Sequence, residues 1–161
     1  MRYLVREKIF SFSDRFAIHD MNGNVRFEVE GKIFSFGNKL KIYDMHGREL
    51  IYIEQKVWRF LPEYNIYKGD RLIARVKKEL TLFRPRFIIE SQYGNLTIDG
   101  DVFAHNFNIL KNGRPIAWIS KKWISFSDTY SVEISDGEDE AFIISLVIVL
   151  DQILYDNRNN K

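Results

Sequence analysis

The sequence has 161 residues, 45% of them hydrophobic and 29% charged, with a formal net charge of +2. That balance belongs to one globular domain over residues 1–161 with a single core, not to a disordered chain. The absence of cysteine excludes disulfides, thiolate nucleophiles and cysteine-based zinc sites.

At the start of the chain, Arg2, Arg6, Glu7 and Lys8 interrupt every apolar stretch. No secretory leader is read there, and a cytoplasmic location is expected. Residues 9–32 and 33–56 then align without a gap at an offset of 24: Ile9-Phe10-Ser11-Phe12 recurs as Ile33-Phe34-Ser35-Phe36, Asp20-Met21 as Asp44-Met45, and Gly23 as Gly47. In each copy a Gly-bearing turn separates two alternating runs, which predicts a β-hairpin, with Asn22-Gly23 pointing to a type I′ turn. The turn aspartates Asp20 and Asp44 could be mistaken for a carboxylate pair. Their repetition argues for the same hairpin chemistry used twice.

A second repeat, at an offset of 43, relates residues 67–90 to 110–133; it pairs Lys68 with Lys111, Arg71 with Arg114, Ala74 with Ala117 and Glu90 with Glu133. The stretch from Lys56 to Arg86 is also the densest basic region. Residues i and i+2 of a strand share a face, so Arg71, Arg75 and Lys77 are expected to project together, opposite Leu72, Ala74 and Val76. Arg84 and Arg86 flank Pro85 as a second basic pair. These five residues are the candidate ligand site: Arg offers bidentate hydrogen bonds to a phosphate and Lys a point charge. Ordinary solvation of a barrel exterior would account for the same residues.

Trp58, Phe60, Tyr64, Tyr67, Phe83, Phe87, Trp118 and Trp123 interleave with the charges. Exposed rings beside cations would stack on bases, yet alternating aromatics are also what a barrel packed on a central helix requires, and core packing is the reading adopted. No RNA-binding module signature occurs, and nucleic acid is not expected as a partner. Asp99, Asp101 and His105 offer oxygen and nitrogen ligands but surround a Gly turn, so no metal is expected. No Gly-x-Ser-x-Gly, P-loop or His-Glu-x-x-His pattern is present, and catalytic residues and cofactors are expected to be absent.

The C-terminal part differs from everything before it. From Asp136 onward six acids face only Arg158 and Lys161, a net of −4 that leaves +6 on residues 1–135. Ala141 to Leu150 is apolar except for Ser145. A membrane span needs about 20 such residues, whereas a run this short reads as a buried core helix. Its β-branched content would equally suit a strand; length and a Ser135-Asp136-Gly137-Glu138 capping box favour a helix over about residues 137–156. With about a dozen short strands over residues 3–134, the expected fold is mostly β: a closed, roughly twelve-stranded antiparallel β-barrel enclosing a hydrophobic C-terminal α-helix.

The tandem "IFSF" hairpin units, the strands around "IAWISKKWISFSDTYSVEI" and above all "DEAFIISLVIVLDQILYD" resemble the LURP-one-related family of tubby-C-terminal-like proteins, which includes phospholipid scramblases. The resemblance spans about Tyr3 to Tyr155 and implies a twelve-stranded barrel around a central helix. For function it implies less: tubby domains bind phosphoinositide headgroups and scramblases act at membranes, while short single-domain members have no assigned reaction. The basic i, i+2 headgroup motif of tubby domains does not align here position by position. The function expected is therefore a non-enzymatic binding module for an anionic lipid headgroup or other phosphate-bearing ligand. Its partner would be an anionic phospholipid or membrane surface, and the chain would not be an integral membrane protein. The alternative is a scaffold with a protein partner and no small ligand.

Overall fold

Alternating apolar residues form the inner wall of a barrel in the computed structural model, which describes residues 1–7, 15–32, 37–57, 60–122, 124 and 128–159. The "IFSF" segments at 9–12 and 33–36, Trp58, Arg59 and Trp123 lie outside the described residues. The strands are β1 (Arg2–Arg6), β2 (Arg15–Asp20), β3 (Val25–Lys32), β4 (Lys39–Tyr43), β5 (Glu49–Gln55), β6 (Glu63–Lys68), β7 (Arg71–Glu79), β8 (Arg86–Ser91), β9 (Leu96–Asp101), β10 (Asn106–Lys111), β11 (Arg114–Ser120) and β12 (Thr129–Ile134). Each pairs antiparallel with its neighbours in sequence, and β12 closes the barrel against β1, with Tyr3 opposite Val132 and Val5 opposite Tyr130. Closure removes the sheet edges that would otherwise invite pairing with another chain.

Both repeats persist down to their irregularities. The β2–β3 pairing shifts register between Ile18 and His19, and the β4–β5 pairing between Ile42 and Tyr43, 24 residues on. The β6–β7 pairing shifts between Ile66 and Tyr67, and the β10–β11 pairing between Ile109 and Leu110, at the offset of the second repeat. Asp20 Oδ1 accepts the backbone N–H groups of Asn22 and Asn24 at 2.9 and 3.0 Å; Asp44 Oδ1 accepts those of His46 and Arg48 at 2.8 and 3.0 Å. The two aspartates are turn ligands, as their repetition implied.

The predicted type I′ geometry is not found at Asn22-Gly23. Gly23 has a φ of 83° but Asn22 does not enter the positive-φ region; the aspartate-anchored turn places only its last residue in the left-handed conformation, the G1-bulge arrangement. The two-residue turn with both central residues at positive φ is Asn112-Gly113, at 52° and 82°, between β10 and β11.

The C-terminal segment is the helix α1 (Glu140–Asn159), and every residue from Ala141 to Leu154 is buried. Its all-round apolar surface meets inward side chains from the whole wall, among them Val29, Ile42, Ile53, Ile66, Val76, Ile109, Ile119 and Val132. Among the described residues no helix is long and apolar enough to cross a membrane. The N-cap is Asp139, whose Oδ1 accepts the Phe142 N–H at 3.1 Å, not Ser135. Gly137, at a φ of 85°, turns the chain between Ser135 and the helix, so the Ser-x-x-Glu segment forms a turn and α1 begins three residues later than expected.

Acids at the start of α1 tie it to the barrel mouth. Lys68 Nζ and the Tyr93 hydroxyl donate to Asp139 Oδ2 at 2.6 and 2.8 Å, Lys111 Nζ donates to Glu138 Oε2 at 2.7 Å, and the Tyr3 hydroxyl donates to Glu140. Burial alone would raise the Asp139 carboxyl; the hydrogen bonds from Lys68, Tyr93 and the Phe142 backbone outweigh it and hold the group below its usual range. At the far end of the helix, buried Asp151 meets His105 Nε2 at 2.9 Å, and His105 stacks on Tyr130 at 4.4 Å.

Two outcomes follow from this packing. Ile144→Ala leaves a hole on the barrel axis and lowers the unfolding free energy by about 2–5 kcal/mol, read from urea denaturation; a change near zero would mean that the helix is not enclosed. The Asp139 carboxylate, with its folded pKa depressed, contributes stability that is complete above the unfolded carboxylate range, near pH 4, and is lost as pH falls through the folded value. Asp139→Asn therefore flattens the acid limb of a stability–pH curve relative to wild type.

Candidate functional site

Because the barrel interior is filled by α1, ligand chemistry has to lie on the outer face or at the ends. Two strand pairs supply the most basic part of that surface. Arg75 on β7 lies opposite Asn65 on β6 and Glu90 on β8, and Lys77 lies opposite Glu63 and Ile88. Arg75 Nε donates to Asn65 Oδ1 at 3.3 Å and stands 3.7 Å from Glu63; its Nη1 is 3.7 Å from Glu90, while Lys77 Nζ is 3.9 Å from Glu63 and 3.5 Å from Glu90. The Glu63 side chain is 11% exposed and that of Glu90 is 54% exposed, so one counter-ion is fixed and the other faces water.

The expectation that Arg71 shares this face is corrected by the register. At the β6–β7 bulge, Tyr67 lies opposite Leu72 but Ile66 lies opposite Ala74, so Ile73 is an extra residue and the alternation flips across it. A bulge of this kind re-aims every side chain beyond it. Arg71 consequently lies across the bulge from Arg75 and Lys77, opposite Lys68 at the barrel mouth where α1 begins, and Leu72 does not share the inward face of Ala74 and Val76.

Arg84 and Arg86 sit at the other end of the barrel, in the 80–85 connection and at the start of β8. The Arg84 carbonyl accepts the Thr81 hydroxyl, and Arg86 Nε is 3.6 Å from Glu79. The five residues thus occupy three places: Arg75 and Lys77 together, Arg84 and Arg86 nearby, and Arg71 apart.

A cleft of about 500 Å³ opens beside Arg75 and Lys77, lined also by Lys56, Lys78, Phe60, Leu61, Pro62 and Glu63. Four cations line it with one acid, and Glu90 stands at its edge. A cleft of about 420 Å³ on β3 to β5 sets Lys32, Lys39 and Lys41 against Glu30, Glu49 and Asp70, and one of about 190 Å³ sets Arg2 and Lys122 against Glu133. Only the first of the three has a clear positive excess, and it is the candidate site. The 56–62 and 80–85 connections lie at the same end of the barrel, before β6 and after β7, and the Lys78 N–H on β7 donates to the Pro62 carbonyl at 3.1 Å.

These connections also correct the aromatic assignment. Tyr64 is buried and Phe87 packs on the core as expected, but Phe60 and Phe83 are 93% and 94% exposed, beside Leu80 at 78% and Leu82 at 92%. Trp118 is partly exposed. The sequence signal was the loss of alternation at Leu80-Thr81-Leu82-Phe83 just before Pro85, which marks a loop rather than a strand. Lys56 and Lys78 were visible as basic residues but not as members of the site, because their convergence depends on the loops.

The one buried histidine belongs to a separate polar cluster. His105 lies between Asp151 and Glu7, its Nδ1 3.4 Å from Glu7, and Lys121 pairs with Glu7. None of the three clefts includes these residues. Asp101 accepts the Ala104 N–H at 3.1 Å as a turn ligand, and among the described residues no group of three or more His, Asp or Glu side chains could hold a metal ion.

The amino-acid sequence matches the LURP-one-related family over residues 1–151. The chain belongs to that family. It is 36% identical over 157 residues to the uncharacterized protein YxjI of Bacillus subtilis (strain 168), covering 98% of this chain and 96% of the relative. Its fold is similar to the X-ray structure of a protein from Arabidopsis thaliana, with a TM-score of 0.68 at 18% identity over 94% of this chain and 90% of the other. The fold is thus shared with a protein at 18% identity.

Proposed function

We propose that this LURP-one-related protein is a non-enzymatic binding module that takes a phosphate-bearing anionic headgroup in the cleft of Lys56, Arg75, Lys77 and Lys78. The observation that carries the reading is the excess of four cations in that cleft over two acids, Glu63 in its lining and Glu90 at its edge. Glu63 and Asn65 hold Arg75 in place, so its guanidinium is oriented before a ligand arrives. Exposed Glu90 is the group a phosphate displaces: it stands 3.5–3.7 Å from both cations, and an exposed ion pair at that distance contributes only about 0–1 kcal/mol. Lys56 and Lys78 add point charge at the rim. The headgroup of an anionic lipid fits this chemistry, and the cytoplasmic leaflet, with its negative surface potential, is the setting that goes with it.

Co-sedimentation with phosphatidylcholine vesicles carrying increasing phosphatidylserine tests the reading. Bound fraction is expected to rise with anionic lipid and fall with salt. Lys56→Gln is expected to weaken partitioning about fivefold, the effect of about 1 kcal/mol per basic residue near the surface. No binding at any salt concentration would overturn the proposal.

A further inference from the structure

Beside the basic cleft, two neighbouring connections carry apolar side chains that the fold does not use. Phe60, Leu80, Leu82 and Phe83 stand largely in water, and Val57 and Ile88 are partly exposed. Isolated exposed apolar residues need no explanation, but a set gathered on two adjacent connections at one rim does. The 56–62 and 80–86 segments contain no acid, whereas Lys56, Arg59, Arg84 and Arg86 fall within them. Phe60 and Leu61 form one wall of the cleft itself.

The shape of the region indicates its occupant. The Thr81 hydroxyl donates to the Arg84 carbonyl, closing a turn at whose tip Leu82 and Phe83 stand clear of the barrel. Apolar side chains exposed beyond nine-tenths present tips and not a groove. A protein partner would need a pocket shaped to them; a bilayer accepts apolar tips of any outline, and its anionic headgroups complement the cations behind them.

We infer that Phe60 and the 80–85 connection insert into the surface of an anionic bilayer, burying Phe60, Leu80, Leu82 and Phe83 among the outer acyl groups and setting the cleft of Lys56 and Lys78 at headgroup level. This deepens the headgroup reading and rests on it for the position of the lipid. It also fixes an orientation: the barrel end that holds the start of α1 points away from the membrane.

The test uses the full-length protein, the Leu82→Ala/Phe83→Ala double variant, and two ligands: vesicles of equal phosphatidylcholine and phosphatidylserine, and water-soluble glycerophosphoserine. Both substituted side chains are exposed, so folding is unaffected. The double variant is expected to lose at least about tenfold in vesicle partitioning while binding glycerophosphoserine as wild type does. Unchanged vesicle partitioning with headgroup binding intact would overturn insertion and leave the cleft reading standing. Vesicle binding that depends on the loops but not on salt, with no glycerophosphoserine bound, would overturn the cleft reading and leave insertion standing. A concentration-dependent dimer of the wild-type protein in sedimentation, abolished by the same substitutions, would assign the tips to a second copy of the chain and overturn insertion.

Discussion

Enclosure of α1 by the barrel is the constraint on which the rest of the structure depends. A helix with apolar residues on every side has no face to give to water, so a sheet covering one side would leave the remainder exposed. A closed wall solves this and gives every strand a partner on both sides. The solution then dictates the ends. Acids at Glu138, Asp139 and Glu140 meet Lys111, Lys68, Tyr93 and Tyr3 at the mouth, and Asp151 meets His105 where α1 reaches the opposite end. Polar contacts at both ends hold the helix in one register along an axis on which apolar packing alone would allow sliding.

A filled axis has a functional consequence. Barrels that hold a small ligand do so in a hollow interior, but here residues Ala141 to Leu154 occupy that space. His105, the side chain with the most catalytic potential, is buried with Asp151 and Glu7 as partners. The proposed binding surface accordingly lies on the outer face, where Glu63 and Asn65 hold Arg75.

How much of this was legible in the sequence depended on the range of the interaction. The hairpins and the helix are local: alternation, the Asp20 and Asp44 turns and the length of the apolar run at 141–150 identify them, and the two repeat offsets even coincide with the bulge positions. Side-chain direction beyond a bulge is not local. One extra residue at Ile73 separates Arg71 from Arg75, and i, i+2 arithmetic cannot anticipate it. The cap was misread for a related reason, since Ser135 and Asp139 both have capping chemistry and only the positive φ of Gly137 decides between them. Phe60 and Phe83 were misassigned because an aromatic near a basic residue has the same composition whether it faces core or water.

The connections divide the barrel into a structural end and a variable one. Where α1 begins, neighbouring strands are joined through residues 21–24, 44–48, 69–70, 92–95 and 112–113; at the opposite end β1 is followed by β2, β3 by β4, β5 by β6, β7 by β8, β9 by β10 and β11 by β12. The first set is tight because Lys68, Tyr93 and Lys111 must reach the acids of α1, and a longer loop would take those donors out of range. The second set carries less of that duty. It is there that Phe60, Leu80, Leu82 and Phe83 stand exposed without loosening the helix. The tight turns that hold α1 thus leave the opposite rim as the place where a barrel of this construction can acquire a binding edge.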